Sequence, residues 1–347
     1  MINTRKSLVL YHCEDPDGVI SAVLLTRALG SDLICVPVGY YNIVKQFEIT
    51  TGNLFHTRPE SIYVSDLGIN DHLANSGRNY GTLEQMARVA PITWFDHHPS
   101  TERHLAELKQ RGINFVTDFT NKKCASVLVQ EHFNLNGAYH SKLVSVALTH
   151  DLNQQNRETA KGLDLQKIIS IYLHRHLNFN YLVRSLVEAE VWEGNGTLNP
   201  DLNALVLEYD RLERSAREQL CRESEGIMLS CSYKNGFTIK ISGYGESFLS
   251  MKDTGRFFLG KFKDPHSGIC AYDAYIVIRG DPINHVLVCT NPDFSSSFDP
   301  VKFCQQNGGG GRGNIGGFNF DGPITTENFE EVKIEVCRKL EKYLNSE

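Results

Sequence analysis

The N-terminal half of the chain repeats one pattern, in which a short apolar run is followed by a polar loop and then by a helix. Residues 7–11 form the first apolar run, and residues 19–29 have the apolar spacing of a helix. Further β-rich runs occupy residues 33–38, 61–65 and 92–95. Helices between short buried strands are typical of a parallel sheet with crossover connections. The pattern therefore predicts an α/β domain.

Acidic residues stand close behind three of these runs. Asp15 and Asp17 lie in an Asp-Pro-Asp-Gly turn, and Asp66 and Asp96 directly follow the third and fourth runs. Because ligands bind outside the carboxyl ends of strands in an open parallel sheet, we expect these carboxylates to converge. Each signal alone has a structural alternative, since such a turn is common on surfaces and an aspartate after a strand often caps a helix.

Asp96, His97 and His98 are three consecutive titratable residues after an apolar strand, which packing alone does not explain. Imidazole and carboxylate together suit a borderline divalent metal, and manganese is the first choice. His150 and Asp151 end an apolar helical stretch and add a further carboxylate. Taken alone, a His-Asp pair at a helix end is more simply structural. The combination of these motifs predicts a metal site.

The pattern of apolar residues changes in the C-terminal half of the chain. A partly exposed amphipathic helix is predicted over residues 199–220, and two short runs, 227–233 and 237–241, flank an Asn-Gly hairpin signal. The remaining elements expected are strands at residues 274–279 and 285–290 and helices at residues 300–306 and 329–344. We therefore divide the chain into a first domain (1–185), a helical linker (186–225) and a smaller α/β domain (226–347).

Seven glycines stand among the eleven residues 308–318. A flexible linker is the simplest explanation of such a composition. The segment is flanked by a predicted helix and by Phe318 and Phe320, which favours a compact backbone loop over residues 308–317 that cradles phosphate.

Composition narrows the class of protein. The 347 residues carry a formal net charge of −6 with both signs mixed, which argues against a wide basic face for long duplex DNA. The nine cysteines are scattered without a Cys-x-x-Cys pair and indicate reduced packing residues. We find neither a signal-peptide core nor a run of about 20 apolar residues, so a cytoplasmic protein without membrane contact is expected.

The four motifs together resemble the DHH phosphoesterase superfamily over roughly the first half of the chain. Asp15-Pro16-Asp17-Gly18 matches the first motif, Asp66 the second, Asp96-His97-His98 the third and Asp151 the fourth. The resemblance implies two divalent metal ions, one held by Asp15 and Asp66 and the other by Asp17, His97 and Asp151, with Asp66 bridging.

The same resemblance assigns further roles. Asp96 is expected to orient His97, and His98 to face the scissile phosphate. A histidine before the first motif serves as an additional ligand in some family members. His12 lies three residues before Asp15, whereas the gap in related pyrophosphatases is four, so a ligand and a polar residue at the strand end are both open for His12.

The glycine-rich segment is similar to the motif of the DHH-associated C-terminal domain, normally four glycines, histidine, two variable residues and Ala-Ala-Gly-Phe. By that similarity, the substrate-binding residues are Gly310, Gly311, Arg312, Gly313 and Asn314. Arg312 stands at the histidine position, and Ile315-Gly316 replaces Ala-Ala. Arginine offers a permanent cation and a fork of donors suited to a terminal phosphate.

The resemblance implies a manganese-dependent phosphodiesterase with its active site in the cleft between the two domains. The expected substrate is a short oligonucleotide or dinucleotide, cleaved to nucleoside monophosphates by a hydroxide activated between the metal ions. An exopolyphosphatase or pyrophosphatase and a non-catalytic nucleotide-binding regulator stay open as alternatives. The partners expected are this substrate and, as an open alternative, a second copy of the chain in a homodimer.

Overall fold

The computed structural model divides the chain into two compact units, Met1–Tyr209 and Asp210–Glu347, hereafter the first and second units. The residues that it describes are 6–30, 33–69, 71–76, 80–120, 122–152, 156, 158–188, 198–224, 229–232, 238–244, 255, 273–280, 284–290, 298–325 and 327–346. The boundary between the units falls within the long helix Pro200–Ser224 and within the predicted linker.

A five-stranded parallel sheet forms the centre of the first unit, in the order β2-β1-β3-β4-β5. Its strands are β1 (Leu8–His12), β2 (Ile34–Val38), β3 (Ile62–Ser65), β4 (Ile92–Asp96) and β5 (Ile113–Thr117). The predicted parallel α/β architecture is confirmed, and four of these strands lie where the apolar runs indicated. The edge strand β5 was not predicted; its sequence, Ile-Asn-Phe-Val-Thr, interrupts the apolar residues with Asn114.

Helices lie between the strands of this sheet and continue along the chain after β5. They are α1 (Pro16–Leu29), α2 (Ile43–Thr57), α3 (Asp71–Asn75), α4 (Gly81–Val89), α5 (Pro99–Glu102), α6 (Leu105–Gln110), α7 (Ala125–His132), α8 (Ala138–Asp151), α9 (Thr159–His174), α10 (Phe179–Glu188) and α11 (Pro200–Ser224), with a short 3-10 turn at Tyr40–Asn42. No helix in the described ranges is both long and apolar enough to cross a membrane.

The central strand β1 is covered on both faces. Val9 and Tyr11 pack in one hydrophobic cluster with residues of α1 and α7–α10, whereas Leu8 and Leu10 pack in another with residues of α2 and α4. Successive side chains of a strand point to opposite faces, so each face of the sheet has its own core. This burial fixes the strand ends from which the polar side chains project.

The second unit contains a six-stranded mixed sheet in the order β10-β11-β9-β8-β7-β6. Its strands are β6 (Leu229–Ser232), β7 (Thr238–Tyr244), β8 (Ala274–Arg279), β9 (His285–Thr290), β10 (Gly310–Arg312) and β11 (Ile315–Asn319), and its helices are α12 (Pro300–Gln306) and α13 (Phe329–Leu344). Strands β6 and β7 pair antiparallel as predicted. The Asn-Gly turn between them lies outside the described residues.

The glycine-rich segment differs from the predicted compact loop. Strands β10 and β11 pair antiparallel and form a hairpin that turns at Gly313 and Asn314. A Cβ atom at Gly311 would lie 2.2 Å from the carbonyl oxygen of Ile315, and one at Gly309 would lie 2.0 Å from that of Gly317. Glycine therefore permits a backbone approach that any side chain would prevent.

Candidate metal centre

The first motif is shaped by the start of α1 against the end of β1. A Cβ atom at Gly18 would lie 2.0 Å from the carbonyl oxygen of His12, so this position requires glycine. Asp15 caps the helix, because its Oδ1 accepts hydrogen bonds from the backbone N–H groups of Asp17 (3.0 Å) and Gly18 (3.2 Å). Its Oδ2 lies 3.2 Å from His12 Nδ1. Tight packing thus brings His12 and Asp15 together, although they lie only three positions apart instead of the four found in related pyrophosphatases.

Asp66 lies at the centre of the candidate site. Its Oδ2 is 3.2 Å from Nδ1 of His12, and its Oδ1 is 3.5 Å from Nε2 of His97. The residue has a φ of +58°, which is uncommon outside glycine and costs on the order of 1–3 kcal/mol. The surrounding structure holds this conformation, in part through the hydrogen bond from the Asp66 N–H to the carbonyl oxygen of Phe95 (2.9 Å). The two oxygens of one carboxylate therefore face two histidines.

Two carboxylates complete the other side of the site, Asp17 near the start of α1 and Asp151 at the end of α8. Both carboxylate oxygens of Asp17 accept backbone hydrogen bonds at the start of α7, from Ala125 (2.7 Å) and Ser126 (2.9 Å). Asp151 is the last residue of α8, and its Oδ2 lies 3.5 Å from His97 Nε2. Carboxylates that come from opposite ends of two helices thus meet the imidazole of His97.

The side chains fit a divalent metal centre. Three groups of residues each bring one ligand atom per member within 4.8 Å of one another: His12, Asp15 and Asp66; Asp17, His97 and Asp151; and Asp66, His97 and His98. His97 is buried, yet neither of its ring nitrogens has a hydrogen-bond partner among the described residues. A buried imidazole that makes no hydrogen bond is stabilised by gaining a ligand, and an imidazole among carboxylates suits manganese, zinc or iron.

The role predicted for Asp96 requires correction. Its Oδ1 lies 2.7 Å from Nδ1 of His98, not from His97, and its Oδ2 accepts a hydrogen bond from the Thr101 hydroxyl. Asp96 ends strand β4, and side chains alternate along an extended backbone, which places residues two apart on the same side. Asp96 therefore orients His98.

The clustering of carboxylates and imidazoles at the site shifts their pKa values. Burial, together with Asp66 and Asp151, raises the pKa of Asp17 to about 8, and burial also raises the pKa of Asp151 to about 6. Burial opposes the protonation of His97, but the carboxylates of Asp66 and Asp151 outweigh it and raise the pKa of that imidazole to about 10. The protein thus retains protons where a metal ion would supply positive charge.

The site has a buried floor and a more accessible rim. The side chains of Asp66 and His97 are only 1% and 3% exposed. The exposed fraction is 24% for Asp15, 16% for Asp151 and 32% for His98. A small anionic ligand can therefore reach the rim, whereas burial lowers the local dielectric constant at the floor and strengthens electrostatic interactions there.

Glu14 and Tyr40 contact the site and were not predicted to do so. Glu14 Oε2 lies 3.2 Å from His12 Nε2, and the Tyr40 hydroxyl accepts a hydrogen bond from the Gly68 N–H (2.8 Å) and lies 3.5 Å from His98 Nε2. Glu14 lies within the acidic first motif. Tyr40 closely follows the end of β2, and the rule that polar groups gather at strand ends applies to its hydroxyl as well.

The predicted substrate-binding residues Gly310, Gly311, Arg312, Gly313 and Asn314 lie in the hairpin of the second unit. The side-chain amide of Asn314 donates a hydrogen bond to the Thr290 carbonyl (2.9 Å), and its own main-chain carbonyl accepts one from the Thr290 N–H (2.9 Å). Asn314 thus anchors the turn to β9. Substrate contact by these five residues stays a prediction.

Solved structures share this fold. A DHH domain from a protein described as a member of a family of ribosomal proteins matches with a TM-score of 0.66 and 15% identity, over 98% of this chain and 87% of that one. RecJ from Thermus thermophilus in complex with Mn²⁺ matches at 0.61 and 13%, over 100% of this chain and 53% of that one. An exonuclease RecJ bound to manganese matches at 0.52 and 13%, over 98% and 90%. No protein-family model and no curated protein matches the sequence.

Proposed function

From a DHH fold that carries a cluster of carboxylates and imidazoles, we propose that this chain is a metal-dependent phosphoesterase. The observation that carries the proposal is the position of His97, whose buried ring nitrogens have no hydrogen-bond partner among the described residues and whose Nε2 lies 3.5 Å from both Asp66 and Asp151. A structural histidine at such depth is normally hydrogen-bonded. A ligand to a cation explains both its depth and its neighbours.

Two ions suit the arrangement. His12, Asp15 and Asp66 would hold one ion, and Asp17, His97 and Asp151 the other, with Asp66 facing both sets. Manganese is the proposed metal, supported by the mixed imidazole and carboxylate ligands. RecJ, which has a related fold, was solved with Mn²⁺ and with Mg²⁺, which supports a divalent ion. When bound, such ions lower the pKa of water and neutralise charge on phosphoryl oxygens.

His98 is proposed to act on the substrate from the rim. The Asp96 carboxylate accepts a hydrogen bond from Nδ1–H of His98, so Nε2 is the ring nitrogen proposed to contact the substrate. Burial opposes protonation, but Asp96 outweighs it and raises the pKa of His98 above its ordinary value. The protonated ring can therefore donate from Nε2 to a phosphoryl oxygen, or to the leaving oxygen as the phosphorus–oxygen bond breaks.

Short oligonucleotides and dinucleotides are the proposed substrates, with nucleoside monophosphates as products. The related fold of an exonuclease supports the phosphodiester class. The net charge of −6 disfavours long polyanions, and the cationic Arg312 beside a glycine-rich turn suits one terminal phosphate. The hairpin of the second unit is therefore proposed to bind that phosphate.

A substrate panel tests this function. The purified chain with added Mn²⁺ is given a linear dinucleotide, a short oligoribonucleotide, a cyclic dinucleotide, adenosine bisphosphate and polyphosphate, with Asp66→Asn protein as the contamination control. Fastest release of mononucleotide from a diester supports the proposal. Preference for polyphosphate would favour the phosphoanhydride hydrolase, and no turnover of any substrate would favour the binding regulator.

A further inference from the structure

Glu14 contacts the outer nitrogen of His12. Its Oε2 lies 3.2 Å from His12 Nε2, on the opposite edge of the ring from Nδ1, which is 3.2 Å from both Asp15 Oδ2 and Asp66 Oδ2. His12 is buried, and the ring of Tyr40 packs against it with a centroid separation of 4.8 Å. One imidazole is thus clamped between two different sets of carboxylates.

Glu14 is itself held in place. Its Oε2 accepts a hydrogen bond from the backbone N–H of Tyr40 (3.0 Å), and its main-chain carbonyl accepts one from the side chain of Gln166 in α9 (3.1 Å). Tyr40 follows β2, the strand that neighbours β1. The position of Glu14 is therefore fixed from two separate elements, whereas its side chain is still 30% exposed.

The contacts of His12 fix its tautomer once a cation is bound. Carboxylates only accept hydrogen bonds, and they face both ring nitrogens, Glu14 at Nε2 and Asp15 and Asp66 at Nδ1. A cation held by Asp15 and Asp66 would replace a proton on Nδ1, so the one proton of the neutral ring would lie on Nε2, against Glu14. The opposite tautomer would point an N–H at the proposed metal position and leave a lone pair against the Glu14 carboxylate.

We propose that Glu14 is a positioning residue that holds His12 in the Nε2–H tautomer, so that Nδ1 serves as a metal ligand beside Asp15 and Asp66. The inference rests on the proposed metal centre and extends it by one residue. It also explains how His12 acts as a ligand at a separation of three residues from Asp15, since the ring orientation is imposed by Glu14.

Calorimetric titration of the metal-free full chain with Mn²⁺ tests this role. Glu14→Gln and Glu14→Ala should each weaken binding about tenfold to a hundredfold, the range found for outer partners of ligating histidines. Glu335→Gln in α13 is the matched control, because that glutamate is 36% exposed, pairs only with the surface residue Arg338 among its described ion-pair contacts, and should leave the affinity unchanged.

A double-mutant cycle separates positioning from direct ligation. In a His12→Ala background, Glu14→Gln should weaken Mn²⁺ binding no further, since the residue acts through His12. The electronic absorption spectrum of the Co²⁺-loaded protein should change in Glu14→Gln and not in Glu335→Gln. Full additivity of the two losses, or affinity in Glu14→Gln equal to that of the control, would overturn the inference while leaving the metal centre intact. Absence of Mn²⁺ binding in the wild type would instead overturn the proposed function.

Discussion

The two units use their sheets in different ways. In the first unit, chemistry resides in side chains, because buried strands of a parallel sheet end beside one another and deliver carboxylates and histidines to one edge. In the second unit, the notable segment is a hairpin whose shape depends on glycines, because a side chain at these positions would collide with neighbouring backbone. A site built from side chains should be sensitive to charge, whereas one built from backbone should be sensitive to volume.

The largest effect is expected from the shared carboxylate. Asp66→Asn keeps the side-chain size and tolerates the positive φ, but removes the negative charge that faces both histidines. Loss of several kcal/mol of transition-state stabilisation should lower kcat roughly a thousandfold or more. Steady-state turnover with Mn²⁺ measures it, with Asp321→Asn on the exposed surface of the second unit as the control. Activity within about tenfold of wild type would refute the central place of Asp66.

The second unit should respond to volume instead. A Cβ atom at Gly316 would lie 2.4 Å from the carbonyl oxygen of Pro300, whereas at Gly310 no heavy atom outside its chain neighbours lies within 4 Å. Gly316→Ala should therefore lower the free energy of unfolding by about 1–3 kcal/mol, and Gly310→Ala by much less. Urea denaturation followed by circular dichroism compares the two. Equal destabilisation would contradict a backbone-determined hairpin.

Arg312 is a charged residue within the glycine-rich segment, so charge as well as volume is expected to matter at this position. Arg312→Ala should remove a charge-assisted contact to phosphate worth about 1.5–3 kcal/mol and raise KM about tenfold to a hundredfold, with little change in kcat. Arg338→Ala, which removes an exposed arginine from the same unit, is the control. An unchanged KM for Arg312→Ala would remove the proposed phosphate contact.

The stability of the metal-free protein is expected to depend on pH. His97 has a pKa of about 10 in the folded protein against an ordinary value of 6.5, and Asp17 has about 8 against 3.8. Both raised values contribute stability that is lost as the pH rises through them, so the melting temperature of metal-free protein should fall by several degrees between about pH 6 and 9. Saturating Mn²⁺ should abolish this fall. A melting temperature that rises with pH in chelator would contradict the charge balance described above.

Sequence patterns predicted the elements better than the side-chain directions. Apolar runs located β1 to β4, β8 and β9, including β2, in which only Val38 is buried, whereas Asn114 interrupts the apolar residues of the edge strand β5. The motif order indicated Asp15, Asp17, Asp66, His97 and Asp151, which the fold does bring together. The partner of Asp96 depends on alternation beyond the strand end, and the contacts of Glu14 and Tyr40 depend on pairing between β1 and β2. Strand ends and alternation can be read from the sequence, but which of these side chains contact one another is determined by the fold.

The number of Mn²⁺ ions that the full chain binds tests the shared two-metal centre most directly. Metal-free protein dialysed against Mn²⁺ and analysed by elemental mass spectrometry should retain two ions per chain, and Asp66→Asn should retain one or none, because its carboxylate faces both ligand sets. Wild-type protein that retains no Mn²⁺, or an Asp66→Asn variant that still retains two ions with unchanged affinity, would contradict the proposal that these side chains form a shared two-metal centre.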